Sequence, residues 1–120
     1  MKVQLPVSKP AIFVRCYFTR DDPSGAVQGT PAEHAARTLA RVGRVLSVEE
    51  RGPYWKMPEL DEVTIDLDVT GEEACERICA ALATGGWVSG EDDAVWNRGP
   101  NAQALDDRLF WANVMVLTKE

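Results

Sequence analysis

The stretch that decides the fold is VTIDLDVTGEEACERICAALATGG, residues 63–86. Its first seven residues alternate. Val63, Ile65, Leu67 and Val69 fall on one side, and Thr64, Asp66 and Asp68 on the other, as in a strand with one face in a core. Thr70 follows, with Glu73 three residues on, the pairing that satisfies the free N–H groups at a helix start. The helix is expected to run to about Ala83, with Ala74, Cys75, Ile78, Cys79 and Leu82 as its apolar stripe, and to stop at Gly85-Gly86. A strand that hands directly to a capped helix is half of a β-α-β unit.

The same grammar occurs earlier. AIFVRCYFT (11–19) reads as a strand with Ile12, Val14, Cys16 and Phe18 on one face and Phe13, Arg15, Tyr17 and Thr19 on the other. RDDPSGAVQG (20–29) is composed of turn residues. Thr30, Pro31 and Glu33 open a second helix, whose apolar side is Ala32, Ala35, Ala36, Leu39, Ala40 and Val42. Gly43 is expected to end it as a left-handed residue. RVLSVEE (44–50) reads as a strand, and RGPYWKMPELDE (51–62), bounded by prolines, as a loop. Near the end, AVW (94–96) reads as a short extended piece. RLFWANVMVLT (108–118), apolar on both faces, reads as a central strand. The order β-α-β-β-α-β predicts an α+β, ferredoxin-like two-layer sandwich. It is an antiparallel sheet with two helices on one face and an extra C-terminal strand or hairpin. With 120 residues the chain is expected to form one domain, 1–120.

Bulk chemistry narrows the function. The net charge is −6, which disfavours nucleic acid and anionic membrane surfaces and suits a basic protein partner. No apolar run is long enough to span a bilayer, and MKVQLPVSKP lacks the apolar core of a signal peptide. A cytoplasmic location is expected. The three cysteines, Cys16, Cys75 and Cys79, have neither disulfide-scaffold nor metal spacing and are expected as buried thiols. His34 is the single histidine, and no nucleophile, phosphate-loop or dinucleotide motif surrounds it. No catalytic residue, metal ligand or cofactor is therefore expected.

The remaining signal is aromatic and acidic. Four tryptophans occur, and Glu91, Asp92 and Asp93 lie between Trp87 and Trp96. Trp87 and Trp111 are expected to pack in the core or against the extra strand. Tyr54, Trp55 and Trp96, in loops beside charge, have the character of binding anchors, with Glu91, Asp92 and Asp93 attracting a basic partner. The plain alternative is a loop folded back, with Trp96 covering the sheet's open face and the acids left in water. Asp66 and Asp68 would add acid to the sheet's open face, where Arg15 is expected to pair with one of them.

The size, the charge, the segment GGWVSGEDDAVWNRG (85–99) and the closing strand LFWANVMVL (109–117) together resemble the small cytoplasmic immunity proteins of bacterial contact-dependent inhibition and polymorphic toxin systems. The resemblance implies a mode of action: a complex that blocks a cognate toxin, often a basic nuclease. It implies no catalytic residues. Two other readings stay open. One is a dimeric α+β barrel that holds a small molecule on the open sheet face, lined by Phe13, Tyr17, Thr64, Trp111 and Met115. The other is a domain whose charge and aromatics serve only solubility and packing. Monomer and homodimer are equally compatible with the sequence.

Overall fold

In a computed structural model the residues described are 11–19, 30–69, 73–98, 103–105 and 108–117. Strand β1 (Ile12–Thr19) precedes helix α1 (Pro31–Leu39), β2 (Arg44–Tyr54), β3 (Met57–Asp68) and helix α2 (Ala74–Leu82). The chain then forms β4 (Ala83–Thr84), β5 (Trp87–Ser89), β6 (Asp93–Asn97), β7 (Gln103–Ala104) and β8 (Leu109–Val116). Six strands make one antiparallel sheet in the order β2-β3-β1-β8-β6-β5, and β4 and β7 pair separately.

The strand alternation decides which face is covered. Ile12, Val14 and Cys16 lie opposite Leu67, Ile65 and Val63 on one side and opposite Val116, Val114 and Ala112 on the other. These residues, with Phe18, join Ala35 and Leu39 of α1 and Ile78 and Leu82 of α2 in one core. Both helices therefore cover the same face, and the molecule is a small α+β domain with helices on one side of an antiparallel sheet. β8 lies between β1 and β6, which accounts for its apolar character on both faces.

The first helix starts as its sequence dictates. The Thr30 hydroxyl accepts from the Glu33 N–H at 3.1 Å, and Pro31 occupies the first turn. Its ending differs from expectation. Among the described residues positive φ occurs at Gly52, Gly85 and Gly86, and Gly43 is not among them. Gly43 serves by being small: a Cβ there would stand 3.0 Å from the Val69 Cβ. The Thr70 cap lies outside the described residues, and α2 begins at Ala74, after Glu73, whose side chain makes no capping bond.

The segment 51–62 is not a loop. β2 and β3 continue through it as a long hairpin closed by Trp55-Lys56, with Tyr54 opposite Met57. Of its three register shifts, two let β2 absorb Gly52 (φ 80°) and Pro53 without losing its partner. Prolines and a glycine at an edge strand read as a loop in sequence because they are strand breakers only where both edges are paired. The short piece at 94–96 is part of a full hairpin, β5–β6, at the opposite edge.

Candidate functional site

Trp87 lies where the sequence puts it, and Trp96 does not. Trp96 projects from β6 onto the helix-covered face beside Ala112, is fully buried, and donates its indole N–H to the Gly85 carbonyl at 2.6 Å. It offers no surface to a partner: an alternating strand places it in register with Ala94, and both turn inward. Trp87 is half-buried against the core and donates to the Ala83 carbonyl at 2.9 Å. Trp111 is not in the core. It lies on the uncovered sheet face, stacked on Tyr17 at 4.9 Å between ring centroids. Trp55 is exposed at the hairpin turn.

The uncovered face can be laid out in rows from the strand register. Asp93, Met115, Phe13, Asp66 and Ser47 form one row, Val95, Asn113, Arg15, Thr64 and Glu49 the next, and Asn97, Trp111, Tyr17 and Glu62 the third. Tyr54 adds a third stacked ring, 4.3 Å from Tyr17. Arg15 does not pair with Asp66 or Asp68. Its Nε lies 3.0 Å from Glu62 Oε2, off the direction of a hydrogen bond. The guanidinium also lies 5.4 Å from the centre of the Phe13 ring. Asp66 instead accepts from the Ser47 hydroxyl at 2.9 Å. Arg51 donates to the Thr64 hydroxyl at 3.0 Å and pairs with Glu49 at 2.8 Å. Asn113, buried on this face, donates to the Ala94 carbonyl at 3.0 Å. Most of the face's polar groups are thus engaged with one another. Burial and the bond with Tyr54 push the Tyr17 phenol up to about 12.

A second concavity lies at the far edge. Between α2 and the β5–β6 hairpin runs a cleft of about 580 Å³. Cys75, Cys79, Ala80, Ala83, Trp87 and Val116 supply apolar lining, and Glu76, Glu91, Asp92 and Asp93 supply charge. Among the described residues no lysine, arginine or histidine lines it. The hairpin turn is tightly built. The Gly90 N–H donates to the Asp93 carbonyl at 2.7 Å, and the Val116 N–H donates to the Asp92 carbonyl at 2.8 Å. A Cβ on Gly90 would collide with the Asp93 carboxylate. The two hydrogen bonds fix the backbone at Asp92 and Asp93, while the side chains of Glu91, Asp92 and Asp93 stay exposed.

The predicted site residues thus separate into four places. Glu91, Asp92 and Asp93 rim the cleft, and Asp66 and Asp68 lie on the bottom rows of the open face. Tyr54 and Trp55 sit at the hairpin end, and Trp96 is in the core. Sequence reasoning missed Glu76, Trp87, Cys75 and Cys79 as cleft lining. The signal that bears on them is the spacing of Cys75, Glu76 and Cys79 along one side of α2, which says nothing about the hairpin that packs beside it.

The thiols are poorly suited to chemistry. Burial pushes Cys16 and Cys79 up to about 12, and burial likewise raises Cys75, with Glu76 and Asp93 adding to the rise. A thiol held protonated is a weak nucleophile. Among the described residues no three His, Cys, Asp or Glu side chains gather as a metal site, and no helix is long and apolar enough to cross a membrane. The raised thiol and phenol values carry a prediction. Folded-state pKa values above the unfolded ones mean that the unfolded chain releases protons first as pH rises, so stability is full below about pH 9 and falls between about 9 and 12. Urea midpoints measured from pH 7 to 11 are expected to fall above pH 9, and Cys16→Ala to flatten that decline.

Comparison of the chain with protein-family models, with curated proteins and with solved structures finds no match.

Proposed function

We propose that this protein is a non-enzymatic binding protein of the cytoplasm that inhibits a basic partner, in the manner of an immunity protein bound to its cognate toxin. The observation that carries the reading is the charge of the cleft: Glu76, Glu91, Asp92 and Asp93 line it, and among the described residues no cation does. A concave, apolar-floored site with one sign of charge attracts an oppositely charged side chain over distance and then covers its aliphatic stem. The backbone that carries Asp92 and Asp93 is fixed by hydrogen bonds, which lowers the ordering cost of association. The protonated thiols on the cleft wall serve as floor.

The fold reading belongs with this proposal. The order β2-β3-β1-β8, with α1 between β1 and β2 and α2 between β3 and β8, supports a ferredoxin-like βαββαβ reading. The β5–β6 hairpin is then the addition that extends one edge and builds the cleft's second wall.

The test is charge reversal. Glu76→Lys with Glu91→Lys leaves the buried residues untouched and is expected to change stability by about 0.5–1 kcal/mol. Titrated against the product of the adjacent gene, this variant is expected to bind about a hundredfold more weakly than the unaltered protein, with the loss mainly in association rate. Equal affinity in the two proteins would remove the cleft as the binding surface.

The aromatic row favours a second reading. The Tyr54–Tyr17–Trp111 stack, with Phe13 and exposed Met115 below it, is the lining expected of a dimeric barrel around a small ligand. That reading requires Trp111→Ala to abolish ligand binding while Glu76→Lys leaves it intact.

A further inference from the structure

Trp55 is the most exposed large apolar side chain among the described residues, at 78%. It closes the β2–β3 hairpin together with Lys56, whose ammonium stands 5.1 Å from the centre of the Trp55 ring. Tyr54 meets that ring edge-on at 6.2 Å, and Met57 is also exposed. The first buried residue beyond the turn is Leu60, so the tip stands clear of the core. The tip thus presents a flat apolar ring with a cation beside it. An isolated tryptophan on a solvent-exposed turn loses nothing in folding if replaced, and its area becomes useful when a pocket covers it.

The cleft between α2 and β5–β6 has the complementary character. Its floor is apolar, with the half-buried Trp87 ring among Cys79, Ala83 and Val116, and its rim carries Glu76, Glu91 and Asp92. Its volume of about 580 Å³ falls within the range of pockets that enclose ligands of drug size, which exceeds an indole. The tip cannot fill the cleft of its own chain. The register puts the tip beyond the Thr19–Leu60 end of the sheet, while the acidic turn is level with Phe13 and Asp66 near the other end. Four strand spacings, about 20 Å, and about 30 Å along the strands separate them.

We propose that the Trp55-Lys56 tip of one copy of this chain docks in the acidic cleft of a second copy. The Trp55 ring lies on the apolar floor against Trp87, and Lys56 exchanges its place over its own tryptophan for the carboxylates of Glu76, Glu91 and Asp92. The contact joins two different patches, so it is head-to-tail and leaves one tip and one cleft unfilled at the ends of any open chain. It also places a second copy where a basic partner would bind, so that partner and self-association exclude one another. The inference does not rest on the toxin reading, because the chain alone suffices to test it.

The experiment is sedimentation equilibrium of the pure protein over a wide concentration range at low salt, with two variants. One is Trp55→Ala, which keeps an intact cleft. The other is Glu76→Lys with Glu91→Lys, which keeps an intact tip. Circular dichroism confirms that both are folded. The unaltered protein is expected to gain mass with concentration and to lose it as salt rises. Each variant alone is expected to associate at least about tenfold more weakly. An equimolar mixture of the two is expected to form a one-to-one heterodimer that grows no further, because only one intact tip and one intact cleft can meet. The proposal is overturned if the unaltered protein stays monomeric throughout. It is equally overturned if Trp55→Ala associates as well as the unaltered protein, or if the mixture of variants stays monomeric. Failure here leaves titration with the adjacent gene's product unaffected, so the two readings fail separately.

Discussion

Trp96→Ala is expected to destabilise the protein by about 3–5 kcal/mol, the largest effect of any single replacement in the segment 85–98. The ring is fully buried, faces the helix layer beside Ala112, and is the largest side chain in the core. Three losses combine. The transfer energy of the indole disappears, a cavity opens under α2 and the β5–β6 hairpin, and the Gly85 carbonyl loses its 2.6 Å donor. The hairpin also forms the second wall of the cleft, so the same replacement is expected to abolish partner binding by dissolving the site. Trp55→Ala, at an exposed turn, is expected to stay within about 0.5 kcal/mol. Urea unfolding of the two variants side by side checks the contrast. A loss below about 1 kcal/mol for Trp96→Ala would contradict the assignment of this ring to the core.

Gly86→Val is expected to cost about 2–4 kcal/mol, from two sources. Gly86 has φ 101°, where a side chain is strained by about 1–3 kcal/mol, and a β-branched residue more than alanine. A Cβ there would also stand 3.0 Å from the Asn97 carbonyl and 3.5 Å from the Trp96 ring. The backbone oxygen cannot retreat without disturbing β6. Because Gly86 and Trp96 touch, the double variant Gly86→Val with Trp96→Ala is expected to lose less than the sum of the two: removing the ring frees space that the valine needs. Strict additivity in a double-mutant cycle would mean that the penalty at Gly86 comes from backbone strain and the Asn97 carbonyl, with nothing from the Trp96 ring.

These two residues show what the sequence could and could not reveal. The alternation of Val63, Ile65 and Leu67, and of Ile12, Val14, Cys16 and Phe18, was legible because one covered face imposes a period of two. The Thr30–Glu33 cap was legible because the bond it makes is local. Trp96 was read as a candidate anchor because the glycines and acids around it suggest a loop. The pairing of β6 with β8 that turns its ring inward is a long-range contact with no local signature. The segment 51–62 reads as a loop for a related reason: Gly52 and Pro53 break a strand that is paired on both sides, yet an edge strand tolerates them at register shifts. Arg15 was matched with Asp66 by face alone. The register sets Arg15 directly opposite Thr64, with Glu62 and Asp66 as equal diagonal neighbours, and the Ser47 hydroxyl takes Asp66 out of contention. The acids at 91–93 were legible as a cluster. That they share a cleft with Glu76 and Trp87 depends on α2 packing beside β5–β6, which composition does not encode.

The account is tested most directly by isothermal titration of the unaltered protein with the product of the adjacent gene at low and at raised salt. The account predicts a one-to-one complex whose affinity falls steeply as salt screens the cleft and which the Glu76→Lys, Glu91→Lys variant fails to form at comparable concentration. A complex that is indifferent to salt and equally tight with that variant, or no heat of binding at either salt, would contradict it.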